Sequence, residues 1–368
     1  MLPKAKARHI IMCELIVLLI LSSFMIKKGL KYEAAMYASL YDSEKKFIKW
    51  VNFDVTKEAL DRAYRYDIET YKSDVHLNWI ELLAYLGAKY GGDFSRYKEK
   101  HMTDLANKLL SKEETMESLT KNMKYYDYYL EAYTAVLGGM VGEYKIEVSD
   151  ETAPGGKRWE EKYGLKAFFP LAKNYPFSHF DDFGTSRSYG FKRKHLGHDL
   201  MGQVGTPVIA VESGYVEALG WNRYGGWRIG IRSFDKKRYY YYAHLRQNFP
   251  YNKSLQIGSV VQAGDVIGYL GRTGYSTKEN TNNIRTPHLH FGIQLIFDES
   301  QKDSIHEIWI DCYELVKFLY KNRSATVKDP ETKEYHRVYQ IEDPAAEDFI
   351  KHQIYKYDDE DIDIHIYE

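Results

Sequence analysis

The 368-residue sequence predicts an α+β multidomain chain, in which a membrane anchor and a helical bundle precede an antiparallel all-β domain. Three observations carry that prediction. An apolar run of seventeen residues, Ile10 to Ile26, lies near the N-terminus. From residue 32 to about 140, Gly and Pro are scarce and apolar residues recur at helical spacing. From about residue 166, short apolar runs alternate with Gly-rich turns.

The apolar run is interrupted only by Glu14, Ser22 and Ser23, and it is flanked by Lys4, Lys6 and Arg8 before it and by Lys27 and Lys28 after it. As a helix it covers about 25 Å, near the lower limit for crossing a bilayer. A cleaved signal peptide is the rival reading. No small-x-small site closes the run, so residues 1–31 read as a cytoplasmic tail and an uncleaved, single-pass signal anchor. Basic residues on both flanks leave orientation undecided by charge alone. The short tail before the run argues for the N-terminus inside, which places the rest of the chain outside the cell membrane.

Residues 32–140 follow as a helical domain of four or five helices. Leu60, Ala63 and Tyr64 share one face, and Trp79, Leu82, Leu83 and Leu86 share another. Gly91 and Gly92 are a C-terminal stop. Ser111 and Glu114 are read as a capping box that opens a helix carrying Met116, Leu119 and Met123. Tyr125 to Leu137 forms the last helix, ended by Gly138 and Gly139. The default reading of this region is a spacer or scaffold. The second is a surface for substrate or a protein partner.

Residues 141–165 read as a linker centred on Thr152-Ala153-Pro154-Gly155-Gly156. Residues 166–310 are the β domain, with strands expected at 207–211, 214–219, 227–232, 239–244, 260–267 and 288–297. Residues 311–368 read as one helix, 311–322, and a charged tail ending in Asp358-Asp359-Glu360-Asp361.

Composition excludes some chemistry. With 51 Lys and Arg against 52 Asp and Glu, nothing favours nucleic acid as a partner. The two cysteines, Cys13 and Cys312, form no disulfide framework and no thiolate metal site, so any metal must be held by His and carboxylate. The 34 Tyr read first as packing, and second as groups that stack on or bond to sugar or peptide.

Three motifs carry chemistry: Lys194-His195-Leu196-Gly197-His198-Asp199, Tyr239-Tyr240-Tyr241-Tyr242-Ala243-His244-Leu245, and Thr286-Pro287-His288-Leu289-His290-Phe291-Gly292. On a strand, His288 and His290 share one face, while Leu289 and Phe291 point to a core. If 195–199 is extended, His195, Gly197 and Asp199 share a face with a notch at Gly197, and His198 points away. The bland readings are two unrelated exposed His and a surface His-Asp pair. Taken together, His195, Asp199 and His290 offer two nitrogens and an oxygen, and leave a fourth tetrahedral position open as catalytic zinc sites do. His244 and His288 remain, one to take a proton from water and one to stabilise an oxyanion. Tyr240 and Tyr242 are placed on the face of His244, lining the cleft.

The run from His195 to Phe291 resembles the lysostaphin-like (LytM-like) zinc metalloendopeptidases, and the resemblance covers about residues 160–295. Gly205-Thr206-Pro207-Val208-Ile209-Ala210, Gly214-Tyr215-Val216, Tyr242-Ala243-His244-Leu245 and the stretch Gly264 to Thr277 are similar to that family's segments. Phe183-Gly184-Thr185-Ser186-Arg187 is similar to its approach to the first His. The resemblance implies an antiparallel all-β zinc peptidase domain with one Zn²⁺ on His195, Asp199 and His290, His288 as general base and His244 assisting the transition state. It further implies a zinc-dependent endopeptidase that hydrolyses stem peptides or crosslinks of peptidoglycan outside the membrane. The sequence departs from the family in a longer loop at 278–286, in Thr286 where Gly is common, and in Gly292 where Glu is common. The loop is expected to reshape access to the cleft. The alternative function is a non-enzymatic LytM-like scaffold or activator in division or sporulation, which the intact ligand set disfavours.

Overall fold

The computed structural model describes residues 47–188 and 192–363. The anchor expected over 10–26 and Cys13 lie outside them. Among the described residues no helix is long and apolar enough to cross a membrane. The described residues from Val51 onward form one compact unit.

Five helices open that unit: α1 (Lys57–Thr70), α2 (Trp79–Tyr90), α3 (Glu99–Leu110), α4 (Met116–Thr120) and α5 (Tyr126–Leu137). Asn78 caps α2, and its side chain accepts from Ile80 and Glu81 N–H. Gly91 ends α2 in the left-handed region at φ 67°. Gly87 has no Cβ to push the Tyr133 and Tyr129 rings away, and so α5 packs closely on α2. The capping box expected at Ser111 and Glu114 is corrected. Thr115 and Ser118 cap α4 reciprocally, while Ser111 closes α3. A Ser followed three residues later by Glu also occurs at a helix end, and here the hydroxyl accepts no N–H from the next helix.

The expected linker at 141–165 is also corrected. It is a hairpin of β1 (Val141–Ser149) and β2 (Lys157–Leu165), in register over nine residue pairs from Val141↔Leu165 to Ser149↔Lys157. Gly155 and Gly156 supply the positive φ of its turn. β1 alternates, with Tyr144, Ile146 and Val148 between Glu143, Lys145 and Glu147, but these apolar residues pair with Lys162, Glu160 and Arg158 on β2, so both faces of the hairpin carry charge, and Lys157 reaches Glu147 at 3.1 Å across the strands.

Short strands β3 (Phe177–His179), β4 (Ser186–Ser188) and β5 (Lys192–Lys194) lead into β6 (His198–Gly202) and β7 (Pro207–Ile209). Then come β8 (Gly214–Asn222), β9 (Gly226–Ser233), β10 (Arg238–Ala243), β11 (Val260–Val261), β12 (Val266–Tyr269), β13 (His288–Leu295) and β14 (Ile308–Trp309). The main sheet runs β11-β8-β9-β10-β13-β6-β3, with β14 on β13, and every pairing is antiparallel. One face is core: Leu200, Leu289, Phe291, Ile229, Ile231, Tyr240 and Tyr242 are fully buried. The other face carries the candidate site.

The chain after residue 311 is more than a helix and a tail. Helix α6 (Tyr313–Leu319) is followed by β15 (Thr326–Lys328) and β16 (Tyr335–Arg337), which form a hairpin. Then β17 (Ile341–Glu342) pairs with β1, and α7 (Pro344–Asp363) ends the described chain.

Arg238, fully buried, joins helices to sheet. Its Nε and Nη2 donate to Glu212 at 2.7 and 3.0 Å, and Nη2 also donates to Asp235 at 2.8 Å. Nη1 donates to Thr134 O and Ala135 O at the end of α5, at 3.4 and 2.7 Å. Five N–H groups therefore meet five acceptor contacts. Tyr240 Oη donates to Glu212 as well. Any Cβ at Gly139 would overlap the Glu212 carboxylate, which explains the Gly-Gly end of α5.

Candidate metal centre and cleft

Register brings the motifs together. His290 on β13 pairs with Asp199 on β6 and with Ala243 on β10. His195 is set just before β6 by backbone bonds: its N–H donates to Thr185 O at 2.9 Å, and its carbonyl accepts from Gly184 N–H at 2.7 Å. Gly197 lies at a bend, where a Cβ would stand 2.6 Å from His290 Cε1, so the notch there is filled by the His290 ring.

His195 Nε2, Asp199 Oδ1 and His290 Nδ1 form a triangle with sides of 3.0, 3.0 and 2.9 Å. Ligands at two corners of a tetrahedron around zinc, at about 2.0–2.1 Å from the ion, lie about 3.3 Å apart, so the set fits a zinc ion with little movement. His195 and Asp199 are buried and His290 is half-buried. Burial alone would raise the Asp199 carboxyl, but hydrogen bonds from His195 and His290 hold it far below the usual carboxylate range.

Behind His195 stands Asp182, which sequence reasoning missed. Its carboxylate Oδ1 is 3.2 Å from His195 Nδ1 without the alignment of a hydrogen bond, and its carbonyl is 3.3 Å from the same nitrogen. Burial pushes the Asp182 carboxyl up against the pull of His195. Arg187 bonds Asp182 and reaches Asp199 Oδ2 at 3.5 Å, so it links the two acids. A carboxylate behind a ligating imidazole holds its tautomer, leaving Nε2 free to bind. The available signal was Asp181-Asp182 next to the run 183–187, since a His ligand usually has such a partner.

His288 and His244 flank the triangle. Their rings are 4.8 Å apart, and His288 Nε2 is 3.7 Å from Asp199 Oδ1. Each commits Nδ1 to a backbone carbonyl: His288 to Thr286 O at 2.8 Å, His244 to Thr273 O at 2.9 Å. That leaves Nε2 as the free nitrogen of both rings in the neutral form. Burial pushes the His244 imidazole well down, so it rests neutral. His198 faces the other way, bonded to His179 at 2.8 Å, and burial pushes it down to about 3.

The expected place of Tyr240 and Tyr242 is corrected. Both are core residues, and Tyr242 Oη accepts from Val211 N–H at 2.9 Å. Counting back from His244 fails because that residue is left-handed at φ 61°, which turns its ring onto the face opposite to Tyr242. The cleft is lined instead by Tyr241, Tyr224 and Tyr275, with Arg187 and Arg193. Tyr241 stands edge-on to His290, 5.9 Å between ring centroids. None of residues 278–286 lines this cleft. Asn280 pins that loop by accepting from Trp227 Nε1 at 2.9 Å and Asn248 N–H at 2.8 Å.

The chain is similar to known proteins over the residues that build this site. Residues 193–303 match the model of peptidase family M23. The L-Ala--D-Glu endopeptidase of Bacillus subtilis is 39% identical over 125 residues, which is 34% of this chain and 37% of that protein. Lysostaphin of Staphylococcus simulans is 41% identical over 98 residues, 26% of this chain and 17% of that protein. The chain thus spans well under half the length of these relatives. A solved structure of a candidate glycyl-glycine endopeptidase lytM from Ruminococcus gnavus covers 75% of this chain and 91% of its own, at 22% identity and a TM-score of 0.50. That likeness is one of fold.

Proposed function

We propose, from the premise that residues 193–303 are a lysostaphin-like domain of peptidase family M23, that the chain is a zinc-dependent endopeptidase acting on peptidoglycan peptides. The observation that carries this reading is the triangle of His195 Nε2, Asp199 Oδ1 and His290 Nδ1 with two further imidazoles beside it. In this reading those three residues hold one Zn²⁺. When bound, zinc supplies a Lewis acid for the scissile carbonyl and makes water more acidic. His288 Nε2, free because Nδ1 is held by Thr286 O, takes the proton from the attacking water and passes it to the leaving amine. His244, its ring 4.8 Å from that of His288 and fixed through Nδ1 by Thr273 O, is read as assisting the transition state beside the carbonyl oxygen. Arg187 and Asp182 position His195 and Asp199.

Of the two relatives compared, the one matched over more residues is named for the L-Ala–D-Glu bond, so the stem peptide is the first substrate to try. The placement outside a single-pass anchor over 10–26 is proposed from the sequence and the substrate. A protein partner for the helical region is proposed only as the second reading of 32–140.

Purified peptidoglycan is digested with the full chain, and released muropeptides are read by mass spectrometry, with a chelator and Asp199→Ala as controls. New peptide-bond cleavage, absent in both controls, is expected. Zinc-loaded protein that cuts none of several wall chemistries would overturn the enzymatic reading.

A further inference from the structure

The cleft does not end at the metal cluster. It opens through Arg193, Tyr224, Tyr241 and His290 into a groove of about 560 Å³ over the same sheet face. Register orders that groove. Arg228 is one residue beyond the Tyr242↔Ile229 pair, level with Ala243 and His290. Gln294, Tyr239 and Trp309 stand four residues further along β13. Two glycines allow aromatic rings to lie flat here. A Cβ at Gly292 would stand 2.8 Å from Trp309 Cζ3, and one at Gly230 would overlap the Tyr239 ring. This gives Gly292 a reason of its own: it is the floor beneath Trp309.

The groove is lined by Arg193, Arg228 and Lys302 and by two acids, Asp303 and Glu307. Among the described residues, no carboxylate lies within ion-pair distance of Arg193 or Arg228, and the Nε of each is buried without a partner. Arg193 donates to Tyr275 Oη and lies against the Tyr275 and Tyr224 rings, at 5.1 and 5.6 Å. Gln294 is 3% exposed, and its Nε2 also has no partner. Glu307 accepts from Trp309 Nε1 at 2.7 Å, and among the described residues neither Glu307 nor Asp303 forms an ion pair with Arg193 or Arg228. Buried donors without acceptors are rare in folded proteins, because each costs the desolvation of its N–H. A planar guanidinium is suited to a carboxylate, and two of them flank the metal end of this groove.

We infer that this groove is a subsite for a free carboxylate on the stem residue next to the scissile bond, held by Arg193 and Arg228 with Gln294 as a further donor and Tyr239 and Trp309 against the aliphatic part. The inference rests on the peptidoglycan reading for the identity of the peptide. It separates an acidic stem substrate from a neutral glycine bridge.

The test uses two stem tetrapeptides, L-Ala–γ-D-Glu–L-Lys–D-Ala with a free α-carboxylate and its α-carboxamide counterpart. Binding to full-length metal-free protein is measured by calorimetry, and cleavage by zinc-loaded protein is measured in parallel. The carboxylate form is expected to bind roughly ten- to a hundredfold more tightly. That ratio should collapse towards unity in Arg228→Gln, fall in Arg193→Gln, and be partly kept in Arg228→Lys, which retains charge but loses the fork. Equal binding of the two peptides, failure to bind either, or discrimination that survives both Gln substitutions would overturn the subsite. Discrimination without cleavage of these peptides or of whole peptidoglycan would leave the subsite standing and remove the enzymatic reading instead.

Discussion

Two buried polar clusters lie on opposite faces of the same sheet, and they are built on opposite plans. Around Arg238 every guanidinium N–H has an acceptor, every acceptor belongs to the chain, and a tyrosine hydroxyl closes the shell. Around Asp199 two imidazole nitrogens and a carboxylate oxygen crowd within 3.0 Å of one another, and Asp182 Oδ1 is left without a hydrogen bond. The first cluster is complete in itself and is a joint. The second gathers three ligand-type atoms in an arrangement compatible with a metal ion. A buried charge speaks for stability only when its partners are counted.

That contrast is open to experiment. The largest effect is expected for Asp199→Ala: zinc content by elemental analysis falls to background, muropeptide release stops, and the fold by circular dichroism is largely kept. Retained activity would end the ligand assignment. His288→Ala is expected to keep its zinc and lose about 10²–10⁴-fold in turnover, read in a peptide cleavage assay. Loss of zinc in that variant would instead make His288 part of the metal site. Arg238→Ala tests the joint. Removing one partner of a buried pair costs about 3–5 kcal/mol, to be measured by denaturant unfolding, and zinc content per folded molecule should not change. Asp182→Asn is expected to weaken zinc by about 10–100-fold in a chelator competition. Unchanged affinity there would mean that the carbonyl of residue 182 orients His195 alone. The smallest effect is Tyr240→Phe, a loss of about 1 kcal/mol in stability with activity intact.

Much of this arrangement could be read from the sequence, and the failures have identifiable causes. Gly91 and the Gly-rich turns of the β region act locally, so helix ends and strand spacing were legible. His288 and His290 alternate with Leu289 and Phe291, which is enough to put two imidazoles on one face. The parity of the tyrosines was not legible, because it depends on one left-handed residue, His244. The hairpin at 141–165 left a signal in Tyr144, Ile146 and Val148 alternating with Glu143, Lys145 and Glu147, but the Pro-Gly-Gly at its centre outweighed it, and the charged β2 residues opposite gave no second apolar face to match. Asp182 was hidden because its role depends on a turn that folds back on His195, a contact thirteen residues apart in sequence. Local signals were readable, and parity and tertiary return were not.

The joint at Arg238 also bears on how such a domain is inherited. A crossover placed between residues 137 and 166 would look harmless on a sequence, since it falls between helices and sheet. It would nevertheless strip the Thr134 and Ala135 carbonyls from a guanidinium with no route to water. The unit that recombination or engineering can move intact therefore begins upstream of α5, and the helices travel with the sheet they cap.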